Sequence, residues 1–427
     1  MEEKISSVRN ACLGSLVDFE KYKKYSNIEL SGSVKKYGFG DRDRTFFTKL
    51  FYGVIEKKLT LDYYIDRLSE KKNRDPRVIN ILRMGLYQII YMDKVPDSAA
   101  CDESVKLAKK SKNRQAAPYV NAVLRNFLRK RGELERELYT LNDLEIKYSC
   151  SSDIINIWTD SYGAGTAKKI LEASLLTRGL TITVNSLKIS RDEFLDKLQT
   201  QNIGAKKTDV SQYGVTTDGG VPAQSIYGYD EGLFYVQDEA SQICAQATGA
   251  APGDLVIDCC AAPGGKSFFM AQMMQNSGRI VCFDIHKNKL NVVDSSAKKL
   301  GITIIETHIH DSKLRYDIKN ADIVLCDVPC SGLGVISKKP EIKYKTLEEI
   351  SKLPKLQYKI LSACSNYVKP GGTLVYSTCT LNKRENEEVV YGFLDENKNF
   401  ECADIQTFFP FERIDGFFLV KMKRIGV

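Results

Sequence analysis

The sequence predicts a multidomain protein: an all-α N-terminal bundle over residues 1–135, a small α+β lobe over 146–245, and a C-terminal α/β domain over 246–427 built on a Rossmann-like sheet. Three observations predict it. The 427 residues exceed what one hydrophobic core usually holds, so two or three domains are expected. Apolar residues recur at three- and four-residue steps between Phe46 and Arg131, the period of amphipathic helices. After about Ala250, short β-rich runs alternate with helical stretches, as in a largely parallel sheet covered on both faces.

In the bundle, Phe47, Leu50, Phe51, Val54 and Ile55 form one helical stripe, and Val78, Ile81, Leu82, Leu86, Ile89 and Ile90 form another. Breaks fall at Asp75-Pro76, Val95-Pro96-Asp97 and Ala117-Pro118, where proline opens or ends a helix, so the helices should be short and compactly bundled. A charged segment runs from Gly132 to Glu145. In the lobe, the β-branched run Leu180-Thr-Ile-Thr-Val184 predicts a strand, and Asp192 to Leu198 a short helix. The last domain shows strand-like runs at Leu255–Asp258, Ile280–Asp284, Ile323–Asp327, Thr373–Ser377 and Phe417–Met422. Ligands of such sheets bind beyond the strand carboxyl ends, and the first four runs end in distinctive residues.

Composition excludes other classes. Hydrophobic residues make up 43% and charged residues 27%, and no apolar run approaches the roughly 18 residues of a membrane span. Met1 to Val17 lacks the basic tip and apolar stretch of a signal peptide, so the protein is expected in the cytoplasm. In that reducing compartment most of the 12 cysteines should be free thiols. There is no C-x-x-C pair, and His286, His308 and His310 lack ligand spacing with any cysteine, so no metal is expected. The net charge of +8 lies in the first 150 residues, which hold 30 Lys+Arg against 21 Asp+Glu. Between Ser104 and Arg131, Lys106, Lys109, Lys110, Lys112, Arg114, Arg125, Arg129, Lys130 and Arg131 meet no acidic residue. Such a patch can hold a polyanion; a solvated lysine-rich helix face is the plain alternative. Tyr119 and Phe127, within it, are equally explained by core packing.

The first strand of the last domain runs into Asp258-Cys-Cys260-Ala261-Ala262-Pro263-Gly264-Gly265-Lys266, followed by a helix. Gly264 and Gly265 permit positive φ and close backbone approach, so a ligand could meet donors at the helix start. Neither the dinucleotide fingerprint nor the P-loop pattern is present, which makes NAD and ATP poor candidates. The second strand ends at Asp284, 26 residues beyond Asp258, near the spacing that sets a carboxylate on ribose hydroxyls, so a nucleoside cofactor fits. Asp311 is placed at a further strand end, where it could reach an adenine amino group.

The run from Cys260 to Lys266, with Asp284, resembles the first methyltransferase motif and the ribose aspartate of the Sun/Fmu family of RNA cytosine-5 methyltransferases. The resemblance covers nearly the whole chain and implies a class I methyltransferase domain. It implies an S-adenosylmethionine site completed by Asp311 and Asp327, with ribosomal RNA of the small subunit (16S) as partner. Two further motifs match: Asp327-Val-Pro-Cys330-Ser-Gly-Leu-Gly334 at the end of the run Ile323–Asp327, and Tyr376-Ser-Thr-Cys379-Thr380 at the end of the run Thr373–Ser377.

Either cysteine alone reads as inert packing. Together, beside a cofactor loop, they suit one chemistry. Carbon-5 of cytosine is too electron-poor to accept a methyl group directly, so a thiolate must first add to carbon-6, and a base must later remove the carbon-5 proton. A thiol is only a few per cent ionised near pH 7, so Lys266 and the helix N-terminus are candidate helpers. The resemblance gives Cys379 the nucleophilic role and Cys330 the role of assisting release, with Asp327 on the base near nitrogen-3. The residues alone leave the order open, since in DNA cytosine methyltransferases the Pro-Cys thiol attacks; Thr-Cys379-Thr favours the RNA enzyme.

A target base must be unstacked to react, so the RNA has to be gripped outside the pocket. The basic bundle is the candidate clamp, and its Val120-Asn-Ala-Val-Leu-Arg-Asn126 resembles the NusB-like domain of bacterial family members. Tyr235-Val-Gln-Asp-Glu-Ala-Ser-Gln242 and Asp415-Gly-Phe-Phe418 also match and read as fold and pocket-wall residues. Two stretches depart from the family: Ser149-Cys150-Ser151 stands for Ser-His-Pro, and Ser337-Lys338, followed by Lys339, for an Arg-Arg pair. Lysine keeps the charge but loses bidentate phosphate geometry. Alternatives are a transfer-RNA cytosine-5 methyltransferase, a non-catalytic RNA-binding assembly protein, and a DNA cytosine methyltransferase. A monomer is expected.

Overall fold

The computed structural model describes residues 2–22, 26–69, 75–111, 113, 115–176 and 178–426. It divides into two compact units, Met1–Asn156 with Lys338–Lys345, and Ile157–Ser337 with Thr346–Val427. Among the described residues no helix is long and apolar enough to cross a membrane.

The first unit is helical, with helices Glu2–Tyr22, Ser26–Tyr37, Asp41–Glu56, Lys58–Leu68, Pro76–Tyr91, Asp97–Lys109 and Ala116–Thr140. Each proline break opens a helix. Asp75 caps the fifth by accepting from the Arg77 N–H, with Pro76 at the first helical position, where its missing N–H costs nothing. Both apolar stripes face inward: Phe47, Leu50, Phe51, Val54, Ile81, Leu82 and Leu86 are buried, each contributing about 1.5–3 kcal/mol by leaving water. Gly53 backs onto Tyr87 so closely that a Cβ would lie 1.9 Å from the ring. Arg83 is buried but donates to both oxygens of Asp62, at 2.7 and 2.8 Å, and to Glu20 at 2.7 Å, so its charge is fully met.

The segment Lys338–Lys345, which follows the Pro-Cys330 motif in sequence, belongs to this helical unit. Tyr344 donates to the Ile55 carbonyl at 2.7 Å, and Ser26 to Glu341 at 2.8 Å. Lys343, fully buried, reaches the Tyr148 carbonyl at 3.3 Å; burial pushes its pKa down to about 8.

The second unit begins with an antiparallel sheet of order β2-β3-β1-β4, formed by β1 (Thr181–Val184), β2 (Ala205–Lys207), β3 (Gly214–Thr217) and β4 (Phe234–Val236). Helix Arg191–Thr200 opens with a Ser190–Glu193 capping box and buries Phe194 and Leu198 against Ile182, Val184 and Val215. A seven-stranded sheet follows: β5 (Leu255–Asp258), β6 (Arg279–Asp284), β7 (Ile305–Ile309), β8 (Ala321–Asp327), β9 (Val368–Thr378), β10 (Phe400–Phe408) and β11 (Phe417–Arg424). Their order is β10-β11-β9-β8-β5-β6-β7. Strands β5 to β9 are parallel, and β11 alone is reversed, pairing antiparallel with both β9 and the edge strand β10. All five runs read from the sequence are strands of this sheet. Strand β10 escaped that reading because Glu401 to Ile405 are exposed at the sheet edge, leaving no apolar alternation. The order reverses between β5 and β8, and that switch point opens the crevice where such sheets bind ligands.

Candidate active site

The turn after β5 is built for close approach. Gly264 takes φ +106°, and a Cβ there would lie 2.4 Å from the Phe268 ring, so only glycine fits; Gly265, also flagged by the sequence, needs no positive φ. Helix Gly265–Met273 starts at once with no side-chain cap, so its first-turn N–H groups lack partners within the helix. Ala261 donates to the Phe283 carbonyl at 2.9 Å and Cys259 to the Leu325 carbonyl at 2.9 Å, which pins the turn between the ends of β6 and β8.

Carboxylates ring this turn. Asp258 is buried and accepts from the Ser267 hydroxyl at 2.6 Å; burial raises its pKa to about 6. Asp284, at the end of β6, accepts from the His286 N–H at 2.8 Å. Asp311, beyond the adjacent β7, is bound by the Lys313 side chain at 3.0 Å and its N–H at 3.2 Å; burial opposes the carboxylate, but Lys313 holds the pKa below its ordinary value. It lines a cleft with Lys313, Arg315, Tyr358 and Lys359. Gln237, on the matching Tyr235–Gln242 stretch, accepts from Thr183 at 2.8 Å, while its buried Nε2 has no hydrogen-bond partner among the described residues. That Nε2 would lie 3.3 Å from a Cβ on Gly265, at the mouth of the turn. An orphaned donor, free N–H groups and strand-end carboxylates fit an amino-acid nucleoside such as S-adenosylmethionine.

Beside the turn, Lys266 and Asp327 form an ion pair at 2.7 Å, and Ser377, at the end of β9, donates to the other Asp327 oxygen at 2.8 Å. Burial works against the ammonium, but Asp327 outweighs it and holds Lys266 protonated well above the ordinary range. The charge proposed as a helper for the thiols therefore sits on Asp327.

Cys330 and Cys379, on the loops after β8 and β9, bring their sulfurs to 3.3 Å; both are free thiols and half-buried. The hydrogen bond with Cys379, and then burial, push Cys330 well above the ordinary thiol range. The loops are locked by Glu385, which is fully buried and accepts from the Ser331 N–H at 2.8 Å, the Ser331 hydroxyl, Gln357 at 2.9 Å and Asn382 at 2.9 Å. Ser331 and Thr380, each next to one of the cysteines, share a hydrogen bond of 2.6 Å. Gly334 and Gly416 meet backbone to backbone, 2.9 Å from N–H to carbonyl, and a Cβ on Gly334 would fall 1.9 Å from the Gly416 oxygen. Glu385 carries no sequence signal, because Lys383-Arg-Glu-Asn-Glu387 reads as a solvated charge run.

In the helical unit, the predicted cationic patch is partly neutralised. Lys106 pairs with Glu103 at 2.8 Å and Arg125 with Asp102 at 3.6 Å, the two residues immediately before the run that looked free of acids. Lys109 and Lys110 are exposed, as are Lys338 and Lys339. Phe127 is core and Tyr119 shares a hydrogen bond with Ser69, so neither aromatic is presented for stacking. Lys112 and Arg114 lie outside the described residues.

The sheet order, the glycine turn and the ring of strand-end carboxylates define a Rossmann-like class I methyltransferase domain, joined to an antiparallel lobe and a helical unit. Family models match the chain in the same sequence: NusB family over residues 6–129, an RsmF/B-like ferredoxin-like domain over 154–224, and 16S rRNA methyltransferase RsmB/F over 246–419. The chain is 34% identical to the probable ribosomal RNA small subunit methyltransferase B of Bacillus subtilis, covering 99% of this chain and 100% of that one. It is 30% identical to its namesake in Synechocystis, over 98% and 99%. The solved structure of NSun6 from Pyrococcus horikoshii with SFG shares the fold, with TM-score 0.60 and 21% identity over 65% of this chain and 99% of that one. This chain belongs to the ribosomal RNA small subunit methyltransferase B family.

Proposed function

We propose that the protein transfers a methyl group from S-adenosylmethionine to carbon-5 of one cytosine in small-subunit (16S) ribosomal RNA, through a transient bond between Cys379 and carbon-6. The observation that carries this reading is the 3.3 Å approach of Cys330 and Cys379 next to the Lys266–Asp327 pair, on strands adjoining the cofactor turn. The names of the full-length relatives support the methyl-transfer and ribosomal RNA parts of it.

The residues divide the work. Cys330 keeps the shared proton, which leaves Cys379 as the thiolate that forms the sulfur–carbon-6 bond and makes carbon-5 electron-rich. Asp327, held by Lys266 and Ser377, faces the base near nitrogen-3. The cofactor, when bound along residues 260–266 with Asp284 and Asp311, supplies an electrophilic methyl group on a sulfonium. Once the charge on Cys379 is consumed in its new bond, the main cause raising the Cys330 pKa is gone. Cys330, half-buried, can then lose its proton to solvent water and, as a thiolate, take the one on carbon-5, while the electrons of that bond reform the ring double bond and expel Cys379 as a thiolate.

The RNA is gripped by Lys106, Lys109, Lys110, Lys112, Arg114 and Arg125 on the bundle and by Lys338 and Lys339. On this reading the enzyme works as a cytoplasmic monomer with no metal in the reaction. Replacing Lys109 and Lys110 by glutamate should weaken RNA binding and lower the salt slope by roughly one to two units, and an unchanged slope removes the clamp.

The test is to mix the Cys330→Ala protein with S-adenosylmethionine and unmodified small-subunit RNA. A protein–RNA adduct should survive denaturing electrophoresis and vanish when Cys379 is also replaced by alanine. No adduct, with wild type still labelling cytosine, overturns the cysteine roles.

A further inference from the structure

Behind the cofactor turn lies a second group of thiols that the proposed reaction does not use. Cys259 follows the last residue of β5, Cys326 precedes the last residue of β8, and Cys364 ends helix Leu353–Cys364. All three are buried, and their sulfurs lie within 4.8 Å of one another. Buried cysteines usually pack as small apolar groups, each sulfur against carbon. Here three sulfurs instead converge on one point, and the Ser312 carbonyl, 3.5 Å from Cys364, is the other polar atom hydrogen-bonded there. Three thiols so arranged become a metal cage once their protons leave.

The geometry selects the ion. Metal–sulfur bonds of about 2.3 Å set three ligands roughly 4 Å apart, within the observed span. Zinc in a closed structural site requires four ligands, and among the described residues no further histidine, cysteine or carboxylate joins this group. Three sulfurs without a fourth donor suit a soft ion that accepts three-coordination, of the cuprous type. We propose that Cys259, Cys326 and Cys364 bind one soft monovalent metal ion through three thiolates, with release of the three thiol protons. Bound there, the ion would tie β5, β8 and the helix together directly beneath Cys260 of the turn and Asp327.

The experiment uses the full chain carrying Cys330→Ala and Cys379→Ala, because that thiol pair would compete for metal. The protein is titrated anaerobically with Cu(I) buffered by a chelator, and the product is examined by X-ray absorption. One ion per chain with three sulfur neighbours is expected. Adding Cys364→Ser should weaken binding about a hundredfold or more, with metal-free folding monitored by circular dichroism. Absence of a one-to-one site, two sulfur neighbours instead of three, or binding that a folded Cys364→Ser protein retains would overturn the proposal. If that variant does not fold, the sulfur count in the parent protein decides alone.

Discussion

The same sheet holds two sets of adjacent thiols, and they differ in where the chain puts them. Cys330 and Cys379 sit on loops beyond strand ends, half-buried, with hydroxyls and a carboxylate network around them. Cys259, Cys326 and Cys364 sit within strand ends and a helix terminus, closed off from solvent. A thiol becomes a nucleophile only if a substrate can reach it and its proton has somewhere to go. Position one residue earlier or later on a strand decides this: Cys326 points into the core, while Asp327 beside it reaches the crevice.

The sharpest way to break the comparison is to remove the reactive thiol. Cys379→Ala should lower methyl transfer by about 10⁴-fold or more, read as radiolabelled methyl incorporated into unmodified small-subunit RNA; retained activity would place Cys379 with the inert group. Next, in native protein exposed to a small alkylating reagent, Cys330 and Cys379 should be modified well before the buried trio, which should react roughly a hundredfold more slowly by peptide mass mapping, with exposed Cys402 as the fast reference. Equal rates would erase the distinction. Smaller still is the effect of the clamp between the loops. Glu385→Gln turns an all-acceptor carboxylate into a group that points N–H donors at the donors of Ser331, Gln357 or Asn382. We expect a cost of about 2 kcal/mol, seen as a fall in kcat of roughly thirtyfold with KM little changed. A change confined to KM would mean that Glu385 serves RNA binding instead.

Much of this was legible from residue order. The alternation of β-rich runs gave the parallel sheet, and Cys260 to Lys266, Asp284, Asp327, Cys330 and Cys379 stood at strand ends because chemistry in such sheets is local to those ends. Less legible were partners supplied from afar. Gln237 meets the turn from another lobe of the same unit, Glu385 reads as a surface charge, and the acids that neutralise Lys106 and Arg125 stand just before the basic run. Lys338 and Lys339 follow the Pro-Cys330 motif in sequence, yet their segment belongs to the helical unit.

The sequence by itself determined the layered architecture, the cofactor turn and the identity of the two loop thiols, since hydrophobic period, glycine placement and motif spacing act over a few residues. Only the tertiary structure decided which groups are buried, which charge meets which, and which three cysteines share one point. Those outcomes come from strand order and helix packing, which bring together side chains dozens of residues apart, and burial then sets whether each thiol or carboxylate carries a proton.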